Sequence, residues 1–251
     1  QPATVNEPGH APALLQTRAQ RLRAIESLGL DAALVIRFDK SFCRKPGEMF
    51  IRELATGFGS IHSICVGASF AFGHRRDGNV DLLCALGQAL GFHVHGLQAV
   101  ALDEQPVSST RIRTSVRDGQ LDDAGQMLGR TFAIEGIVVR GDGRGRGIGF
   151  PTANLDTCSL TLPPNGVYAA HARLSETTHR AVLNIGFRPT VAEPDPKPQV
   201  EAHLLDFDDD LYGQLVELEL VDWLRDEQQF GSVDELAMQI TRDIESARTL
   251  F

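Results

Sequence analysis

Apolar residues recur with two different spacings along this chain of 251 residues, and the change of spacing divides it into two parts. In the first part, segments with one apolar face at helical spacing alternate with short apolar runs, which predicts an α/β fold with a parallel sheet. From Phe132 onward, short β-like segments are broken by Gly, Pro and Asp, a pattern typical of an antiparallel barrel. We therefore predict an α/β domain at 1–128 and an all-β domain at 129–251.

Helix and strand signals alternate through the first part. Thr17 and Gln20 predict a capping box at the start of a helix that ends at Gly29. The run from Ala32 to Phe38, which is apolar apart from Arg37, predicts a buried strand. The other predicted elements are helices at 47–56 and 80–90, strands at 61–66 and 92–100, a helix that opens at Ser108–Arg113 and a short helix near 120–128.

The second part is predicted to consist of strands followed by one helix. Ser232, with Glu235 three residues later, predicts a capping box at the start of this helix. Helical spacing then places Leu236, Ile240 and Ile244 on one inward face. The strands predicted before it lie at 132–140, 167–174, 179–185, 199–207 and 214–223.

Composition narrows the functional classes. With a net charge of −9, the chain lacks the basic character of general nucleic-acid-binding proteins, so we expect no nucleic-acid partner. Its four cysteines lie far apart without a C-x-x-C pair, which disfavours a zinc site or a disulfide framework and favours a reducing, cytoplasmic location. No run of about 18 apolar residues occurs, so we expect no membrane span.

A glycine-rich loop, Gly141–Asn154, carries the strongest chemical signal. Its glycines let a ligand approach main-chain N–H groups, which form an anion-binding concavity, and Arg144 and Arg146 add positive charge. Thr152 and Asn154 contribute neutral oxygen atoms that a hard cation accepts. The loop therefore predicts a site for a polyphosphate with Mg²⁺, although it matches neither the Walker A nor the dinucleotide-binding pattern. A flexible hairpin loop without a ligand is the alternative interpretation.

A glutamate stands inside one predicted strand of the same domain. Glu201 lies among apolar neighbours in Val200–Phe207, and strand alternation places it on one face with His203. A carboxylate in such surroundings costs free energy unless it is paired or functional. Solvent exposure or a salt bridge would explain it, but its presence in the domain of the glycine loop favours a general base that acts on a hydroxyl group.

Six motifs follow one another between about 130 and 251, and in this order they resemble the riboflavin kinase family. The resemblance implies a six-stranded antiparallel barrel with a C-terminal helix, which transfers the γ-phosphate of ATP to the 5′-hydroxyl of riboflavin and so makes FMN. The motifs are Gly149–Leu155, Pro164–Ala169, Asn184–Thr190, Glu201–Phe207, Asp210–Gly213 and Leu224–Phe230.

The resemblance also implies roles for particular residues. Glu201 corresponds to the catalytic base, and Thr152 and Asn154 correspond to the positions that hold Mg²⁺ and the ATP phosphates. Core packing explains Phe230 nearly as well as flavin contact does, and a surface charge would explain Arg225. The other implied contacts are Gly141, Arg146 and Tyr212 with ATP, Arg225 and Phe230 with the flavin, and Asn184–Thr190 as a mobile flap over the site.

The first part is similar to the FMN adenylyltransferase module that precedes riboflavin kinase in bifunctional bacterial FAD synthetases, a Rossmann-like nucleotidyltransferase fold. The module's Gly-x-Phe-Asp-Gly-x-His-x-Gly-His loop does not occur in this sequence, so we expect an incomplete module. The resemblance implies a phosphate site at a helix N-terminus, formed by Ser108, Ser109, Thr110 and Arg113, although such a run is equally an ordinary N-cap cluster. The matching motifs are Thr17–Leu22, Leu28–Asp31, Phe38–Asp39, Val66–Gly73 and Ser108–Arg113.

Three functional hypotheses follow from these patterns. The first is a riboflavin kinase with a truncated adenylyltransferase module. The second is a fragment of a bifunctional enzyme that also makes FAD from FMN and ATP, and the third is a non-enzymatic module that binds flavin or nucleotide. Because an incomplete sheet exposes an edge and an apolar face, we expect residues 1–127 to be less stable than 130–251, or to form an oligomer through this module.

Overall fold

The computed structural model describes residue 5 and residues 11–157, 159–187 and 198–251. Contacts between Cα atoms divide the chain into two compact units. Residues 32–107 belong to what we call the N-terminal unit, and residues 13–31 together with 108–251 form the barrel unit. The domain boundary predicted at 128/129 rests on the change of pattern along the sequence rather than on compactness, and it stays a prediction.

Each helix predicted from the sequence occurs in the structure, within a few residues of its expected bounds. The helices of the described residues are α1 (Arg18–Glu26), α2 (Gly47–Phe58), α3 (Val80–Leu90), α4 (Ser109–Arg117), α5 (Leu121–Leu128), α6 (Arg144–Gly147) and α7 (Val233–Arg248), with short 3-10 helices at Phe42–Arg44 and His74–Arg76. The strands are β1 (Ser63–Gly67), β2 (His93–Leu97), β3 (Ala101–Leu102), β4 (Gln105–Pro106), β5 (Ala133–Val139), β6 (Ala153–Asp156), β7 (Gly166–Leu174), β8 (Thr177–Gly186), β9 (Gln199–Leu204) and β10 (Leu215–Arg225).

The N-terminal unit is built around one pair of parallel strands. β1 and β2 pair over five residues each, and β3 and β4 form a separate antiparallel pair. α2 and α3 contact each other, and α3 also contacts β2. The side chains at the centre of this packing are Ile51, Leu83, Leu86 and Phe92. The parallel sheet expected from the sequence is therefore present as two strands.

The strand predicted from Ala32 to Phe38 is wrong. Residues 32–39 have no regular secondary structure, and Leu34 and Val35 are 63% and 54% exposed. An apolar run indicates a tendency towards burial, but a strand also needs a neighbour that accepts and donates its backbone hydrogen bonds. Among the described residues, no strand pairs with this segment.

The barrel unit contains a closed six-stranded barrel, which confirms the predicted architecture. The strands follow one another around the ring in the order β10-β5-β6-β9-β8-β7, and β10 closes the ring by pairing with β7. All six pairings are antiparallel. Five of the strands were predicted, whereas β6, which is only four residues long, was assigned to the glycine loop.

Strand alternation places the core inside the ring of strands. On β9, Val200, Ala202 and Leu204 are buried, whereas Glu201 and His203 on the opposite face are partly exposed. A barrel of this size fills its interior with side chains. Polar residues on the alternate positions therefore lie on the outer surface of the barrel, where a ligand has access to them.

A tyrosine in the barrel interior is held as a neutral hydrogen-bond donor. Tyr168 is 1% exposed, and its hydroxyl donates to the carbonyl oxygen of Pro164 at 2.6 Å. Burial, reinforced by the negative charge of Asp226, raises the pKa of Tyr168 to about 12. The hydroxyl therefore keeps its proton over the physiological pH range.

α1 packs on strands β5 and β10, and its capping box also anchors it. The Thr17 hydroxyl accepts the N–H of Gln20 at 3.1 Å, and the Gln20 side chain accepts the N–H of Thr17 at 3.0 Å, which confirms the predicted box. The same hydroxyl donates to Glu135, which is 1% exposed. Arg23 forms ion pairs with Glu135 and, at 2.8 Å, with Glu217. A buried carboxylate is costly unless it is paired, so these contacts fix the helix on the barrel.

α7 covers part of the outer face of the barrel, where it contacts β7, β8 and β10. Ser232 accepts the N–H of Glu235 at 3.2 Å, as predicted, but the Glu235 carboxylate accepts from Gly231 rather than from Ser232. At its other end, Asp206 accepts hydrogen bonds from Arg248 at 2.7 Å and from Arg180 at 3.1 Å. Both ends of the helix are therefore held.

Candidate functional site

The candidate site is built on the outer face of the neighbouring strands β6, β9 and β8. Their register places Asn154 opposite Glu201, and Glu201 opposite Asn184. Residues directly opposite each other in a sheet share a face. The three polar side chains therefore form one row across the sheet, and Val182 and His203 lie opposite each other in the adjacent row.

Two clefts lie beside these strands, and Thr152 lines both of them, whereas Asn154 lines neither. The first, which we call the helix-side cleft, has a volume of about 1060 Å³, and the second, the loop-side cleft, has a volume of about 320 Å³. The helix-side cleft is lined by Asn184, Glu201, Arg225, Phe230, Leu236 and Ile240, among others. The loop-side cleft is lined by Arg146, Phe207, Tyr212 and the acidic run Asp208–Asp210, among others.

Thr152 and Glu201 contact each other where the clefts meet. The Thr152 hydroxyl donates to a Glu201 carboxylate oxygen at 3.3 Å. Both side chains are partly buried, so solvent screens their interactions less than it screens those of fully exposed groups. A hydroxyl that donates its proton still has lone pairs to offer to a cation. Sequence reasoning named both residues, and the structure brings them together.

Two glycines of the loop are required by close approach. A Cβ atom on Gly141 would overlap the side-chain amide of Asn154, and a Cβ atom on Gly145 would overlap the carbonyl oxygen of Phe150. In contrast, nothing lies within 4 Å of the Cβ position of Gly147. The Gly141 backbone therefore packs directly on the Asn154 amide and limits where that amide can lie.

Arg225 enters the helix-side cleft with its guanidinium already engaged. Register shifts in β10 occur just before this residue, on both sides of Trp223, and such bulges re-aim side chains. Nε and one terminal nitrogen of Arg225 donate to the Asp243 carboxylate at 2.8–3.0 Å, and the other terminal nitrogen donates to the Asp226 carbonyl at 2.9 Å. The guanidinium lies 5.7 Å from the ring centroid of Phe230. Arg225 thus joins the end of β10 to α7 and supports an aromatic ring.

Tyr212 and Arg146 lie on the other side of Thr152, in the loop-side cleft. Tyr212 is 46% exposed, and the guanidinium of Arg140 lies 5.6 Å from its ring centroid. The Asp210 carboxylate accepts the N–H of Tyr212 at 2.9 Å, which fixes the backbone there. The ring is therefore held at the surface with a cation on one face.

The segment predicted as a flap is described only in part. Asn184 and Phe187 line the helix-side cleft, whereas Arg188–Thr190 lie outside the described residues. Gly186 at the end of β8 packs against the Glu227 side chain so closely that a Cβ atom would overlap the carboxylate. The described start of this segment therefore belongs to the wall of the cleft.

The predicted phosphate site at Ser108–Arg113 lies in the barrel unit, at the start of α4. The Ser108 hydroxyl caps the helix by accepting the N–H of Arg111 at 3.2 Å. Nε of Arg113 donates to the carbonyl oxygen of Ala13 at 2.6 Å. Ser108, Ser109 and Thr110 are exposed, and none of the four predicted residues lines either cleft as the described residues define it.

Two residues of the site were not identified as such from the sequence. Asp243 on α7 is 5% exposed and holds Arg225, and its helical position three residues after Ile240 carried no chemical signal. His203 lines the helix-side cleft, and its Nδ1 lies 2.8 Å from the carbonyl oxygen of Pro151. Its position two residues after Glu201, on the same face, was a signal that sequence reasoning recorded without assigning a role.

Oxygen atoms of Thr and Asn are the candidate metal ligands of this site. Within the part of the chain that the structure describes, no group of three or more His, Cys, Asp or Glu side chains is placed to hold a metal ion.

None of the helices that the described residues form is long and apolar enough to cross a membrane.

Two known families match separate parts of this chain. The riboflavin kinase family matches residues 128–251, and the FAD synthetase family matches residues 1–111. The two matches together span nearly the whole sequence, so both parts have recognised relatives.

Individual relatives match along the whole chain. A bifunctional riboflavin kinase/FMN adenylyltransferase from Escherichia coli is 39% identical over 252 aligned positions, which cover 100% of this chain and 80% of the relative. The protein of the same name from Haemophilus influenzae is 35% identical and covers 96% and 78%. A crystal structure described as a macrolide-efflux protein from Streptococcus pneumoniae superposes with a TM-score of 0.81 at 28% identity, covering 99% of this chain and 80% of that one.

Proposed function

Because the chain belongs to the bifunctional riboflavin kinase/FMN adenylyltransferase family, we propose that Glu201 is the general base of its kinase reaction and that Thr152 and Asn154 hold the divalent cation, Mg²⁺. The chain is an enzyme that phosphorylates riboflavin, and its substrates are those of the family, ATP and riboflavin. The observation that carries the proposal is the 3.3 Å contact between Thr152 and Glu201 where the two clefts meet.

The two clefts suit the two substrates. Ligand pockets typically measure about 300–1,000 Å³, and the two clefts, at about 320 and 1060 Å³, lie close to this range. We assign riboflavin to the helix-side cleft, where Phe230, Leu236 and Ile240 offer apolar surface to a large ring system. ATP is assigned to the loop-side cleft beside Arg146 and the glycine loop. Its γ-phosphate then meets the flavin's hydroxyl at Thr152.

The donor set at this junction fits a hard divalent cation. Thr152 and Asn154 present a hydroxyl and an amide oxygen, and Mg²⁺ prefers oxygen ligands and is bound through few protein groups together with substrate phosphates. Gly141 supports the proposal because its backbone confines the Asn154 amide. A cation held there would neutralise part of the negative charge of the phosphates.

In this proposal Glu201 accepts the proton of the attacking hydroxyl. The riboflavin 5′-oxygen forms a bond to the γ-phosphorus while the bond from that phosphorus to the bridging oxygen breaks, and ADP leaves with the bonding electrons. The hydroxyl proton passes to a Glu201 carboxylate oxygen. The Thr152 hydroxyl donates to the same carboxylate, so it orients the base for this step.

The proposal modifies what Arg225 contributes. Its nitrogen atoms already donate to Asp243 and to the carbonyl of Asp226. Arg225 therefore contributes to flavin binding through the flat face of its guanidinium and its contact with Phe230, rather than through a pair of free N–H donors. Aromatic and guanidinium faces both stack on planar rings, so the pair forms a wall for an isoalloxazine ring.

The first part of the chain supports a second reaction. Its match to the FAD synthetase family over residues 1–111 favours adenylyl transfer from ATP to FMN, the activity that the relatives' names include. We place both reactions in the cytoplasm, as the cysteine usage predicts.

One assay tests both reactions, because chromatography separates FMN from FAD after incubation with riboflavin, ATP and Mg²⁺.

The decisive variant is Glu201→Gln, which keeps the size of the side chain and removes its basicity. General-base catalysis contributes about 10²–10⁴-fold, so kcat for FMN formation is expected to fall by that factor while ATP binding, measured by calorimetry, is retained. Glu219→Gln is the matched control, because Glu219 is also a strand glutamate and pairs with Arg173 at 2.6 Å outside both clefts. Near-normal turnover of Glu201→Gln would reject the base assignment, and a folded wild-type protein that forms no FMN would reject the kinase.

A further inference from the structure

We propose that His203 is a positioning residue of the kinase, which holds the turn that carries Thr152. The inference rests on the proposed function, because it takes Thr152 and Glu201 to be parts of the site. His203 lies on β9 two residues after Glu201, on the same face of the strand. It lines the helix-side cleft together with both of these residues.

The imidazole ring contacts two consecutive residues of the turn before β6. Its Nδ1 lies 2.8 Å from the carbonyl oxygen of Pro151. A carbonyl oxygen only accepts hydrogen bonds, so Nδ1 carries the proton in this contact. The ring also meets Phe150 edge to face, with a centroid distance of 5.9 Å and an interplanar angle of 83°. His203 therefore fixes this turn by one hydrogen bond and one packed ring.

The hydrogen bond lies where the backbone ladder stops. The pairing of β6 with β9 runs from Leu155 opposite Val200 to Ala153 opposite Ala202, and Thr152 lies one residue beyond its end. Continuing that register would set Thr152 opposite His203. At this point the His203 side chain is hydrogen-bonded to the Pro151 carbonyl oxygen. This hydrogen bond connects the turn to β9 beyond the last backbone pairing of β6 with β9.

Holding the Pro151 carbonyl determines where Thr152 lies. The peptide unit that joins Pro151 to Thr152 is planar, so fixing its oxygen also fixes the direction of the Thr152 N–H and the position of its Cα. Thr152 is then held from two sides, by His203 through the backbone and by Glu201 through the hydroxyl at 3.3 Å. Loss of the first contact would leave the second without a fixed partner.

The same turn supports the glycine loop. The Phe150 N–H donates to the carbonyl oxygen of Gly145 at 2.9 Å, and the Phe150 carbonyl packs where a Cβ atom of Gly145 would lie. A displaced turn would therefore shift the loop and Thr152 together. Misplacement of a reacting group by about 1 Å costs about 100-fold in rate, so a residue that acts through the position of this turn is expected to affect kcat.

Three substitutions separate positioning from general packing. His203→Asn places a side-chain N–H near the position of Nδ1, His203→Gln reaches further, towards the position of Nε2, and His203→Ala removes both. We expect kcat for FMN formation to fall by about 10- to 100-fold in the Gln and Ala variants. His203→Asn is expected to recover most of that loss, and KM for riboflavin and ATP is expected to change much less than kcat.

His171 provides the matched control. It lies on β7 of the same barrel, packs its ring 4.9 Å from that of Phe251, and lines neither cleft. His171→Asn and His171→Gln are expected to keep the turnover of the unaltered enzyme. Melting temperatures of all variants show whether each one is folded at the assay temperature.

Two results would overturn the inference. If Asn, Gln and Ala at 203 reduce kcat equally, or if all three keep normal kcat per folded enzyme, His203 does not act through the Pro151 carbonyl. Parallel measurement of Glu201→Gln keeps the two proposals distinct. A deficient Glu201 variant with three normal His203 variants rejects only the positioning role, whereas a normal Glu201 variant rejects the proposed site itself.

Discussion

The two compact units of this protein use their strands in opposite ways. The barrel unit closes six strands into a ring, so every one of these strands has two neighbours. The N-terminal unit pairs only β1 with β2 in its parallel sheet, so each of these strands keeps an open edge among the described residues. Closure removes unpaired edges, whereas an open sheet must protect them in other ways.

Burial follows the same division. The barrel unit contains side chains with no exposed area on several strands, for example Ile134, Leu183 and Leu218. In the N-terminal unit, as far as the structure describes it, the buried apolar side chains are the four of its core. Hydrophobic stabilisation scales with the apolar area removed from water. The barrel unit, which carries the proposed kinase site, is therefore the unit that is better able to hold a fixed geometry.

The largest expected effect comes from a matched pair of core leucines. Leu218 on β10 and Leu83 on α3 are both fully buried, and Leu→Ala in such positions costs about 2–5 kcal/mol. We expect Leu218→Ala to weaken amide protection in the barrel and to reduce kinase activity at raised temperature. Leu83→Ala is expected to weaken protection only in residues 32–107. Hydrogen exchange with mass spectrometry reads both regions in one sample.

The same measurement tests the comparison without any substitution. In the unaltered protein, amides of the N-terminal unit are expected to exchange faster than those of the barrel strands, because local opening costs less where few apolar side chains are buried. Equal protection in both units of a monomer would contradict this expectation, and so would equal loss of barrel protection in the two leucine variants.

An intermediate effect is expected in the glycine loop. Gly141→Ala places a Cβ atom against the Asn154 amide, which must move, so kcat is expected to fall by about 10- to 100-fold if Asn154 contacts the bound cation. Gly147→Ala is the matched control, because its Cβ position is open and its φ is not positive. Turnover and the Mg²⁺ concentration at half-maximal rate are the measurements. Equal behaviour of the two variants would show that the contact between Gly141 and Asn154 is unimportant.

The smallest expected effect concerns one surface carboxylate in each unit. A hydrogen bond from Arg248, together with the charges of Arg248 and Arg180, lowers the pKa of Asp206 in the barrel unit. In the N-terminal unit, hydrogen bonds from the Ser41 hydroxyl and the Phe42 N–H lower the pKa of Asp39. Each group therefore adds stability above its unfolded pKa of about 3.9, and this contribution disappears as the pH falls through the lower folded value.

Amide replacements test this dependence in each unit. Asp206→Asn and Asp39→Asn are expected to lower the stability of their own unit slightly at pH 6 and to match the unaltered protein at a pH below both folded pKa values. Asn also tolerates the φ of +56° at position 206. A stability difference that persists unchanged at low pH would show that these carboxylates do not act through their charge.

The sequence predicted the barrel more completely than the N-terminal unit, for a physical reason. Alternation of apolar and polar residues identifies a strand whose two faces differ, and β9 and the first part of β10 have this property, whereas β7 and β8 are buried over consecutive residues. The run 32–38 is apolar on both faces apart from Arg37. Whether it forms a strand depends on another strand lying beside it, which no local pattern states. β6 escaped prediction because a strand of four residues after a glycine loop has little periodicity.

The site could be predicted as far as its residue types allowed. Thr152, Asn154 and Glu201 have a recognisable chemistry and stand in motifs, so sequence reasoning named them. His203 acts on a backbone carbonyl and Asp243 acts on Arg225, so their importance depends on distances that arise only when strands and helix meet. The phosphate site predicted at Ser108–Arg113 shows that a motif alone does not determine which contacts its residues make. In the structure Ser108 caps the helix, as the alternative interpretation of the run stated, and Arg113 donates to the carbonyl oxygen of Ala13, a contact that the pattern did not indicate.

The anchoring of α1 has a consequence for the order of events during synthesis. Its partners Glu135 and Glu217 lie 112 and 194 residues after Arg23 in the chain, so they leave the ribosome later than this helix. At about 5–20 residues per second, the second partner follows about 10–40 s later. A helix of nine residues has little stability alone in water. The first helix of the barrel unit to be translated is therefore among the last to reach its folded position. It packs stably only after the strands of the barrel have been translated and have paired.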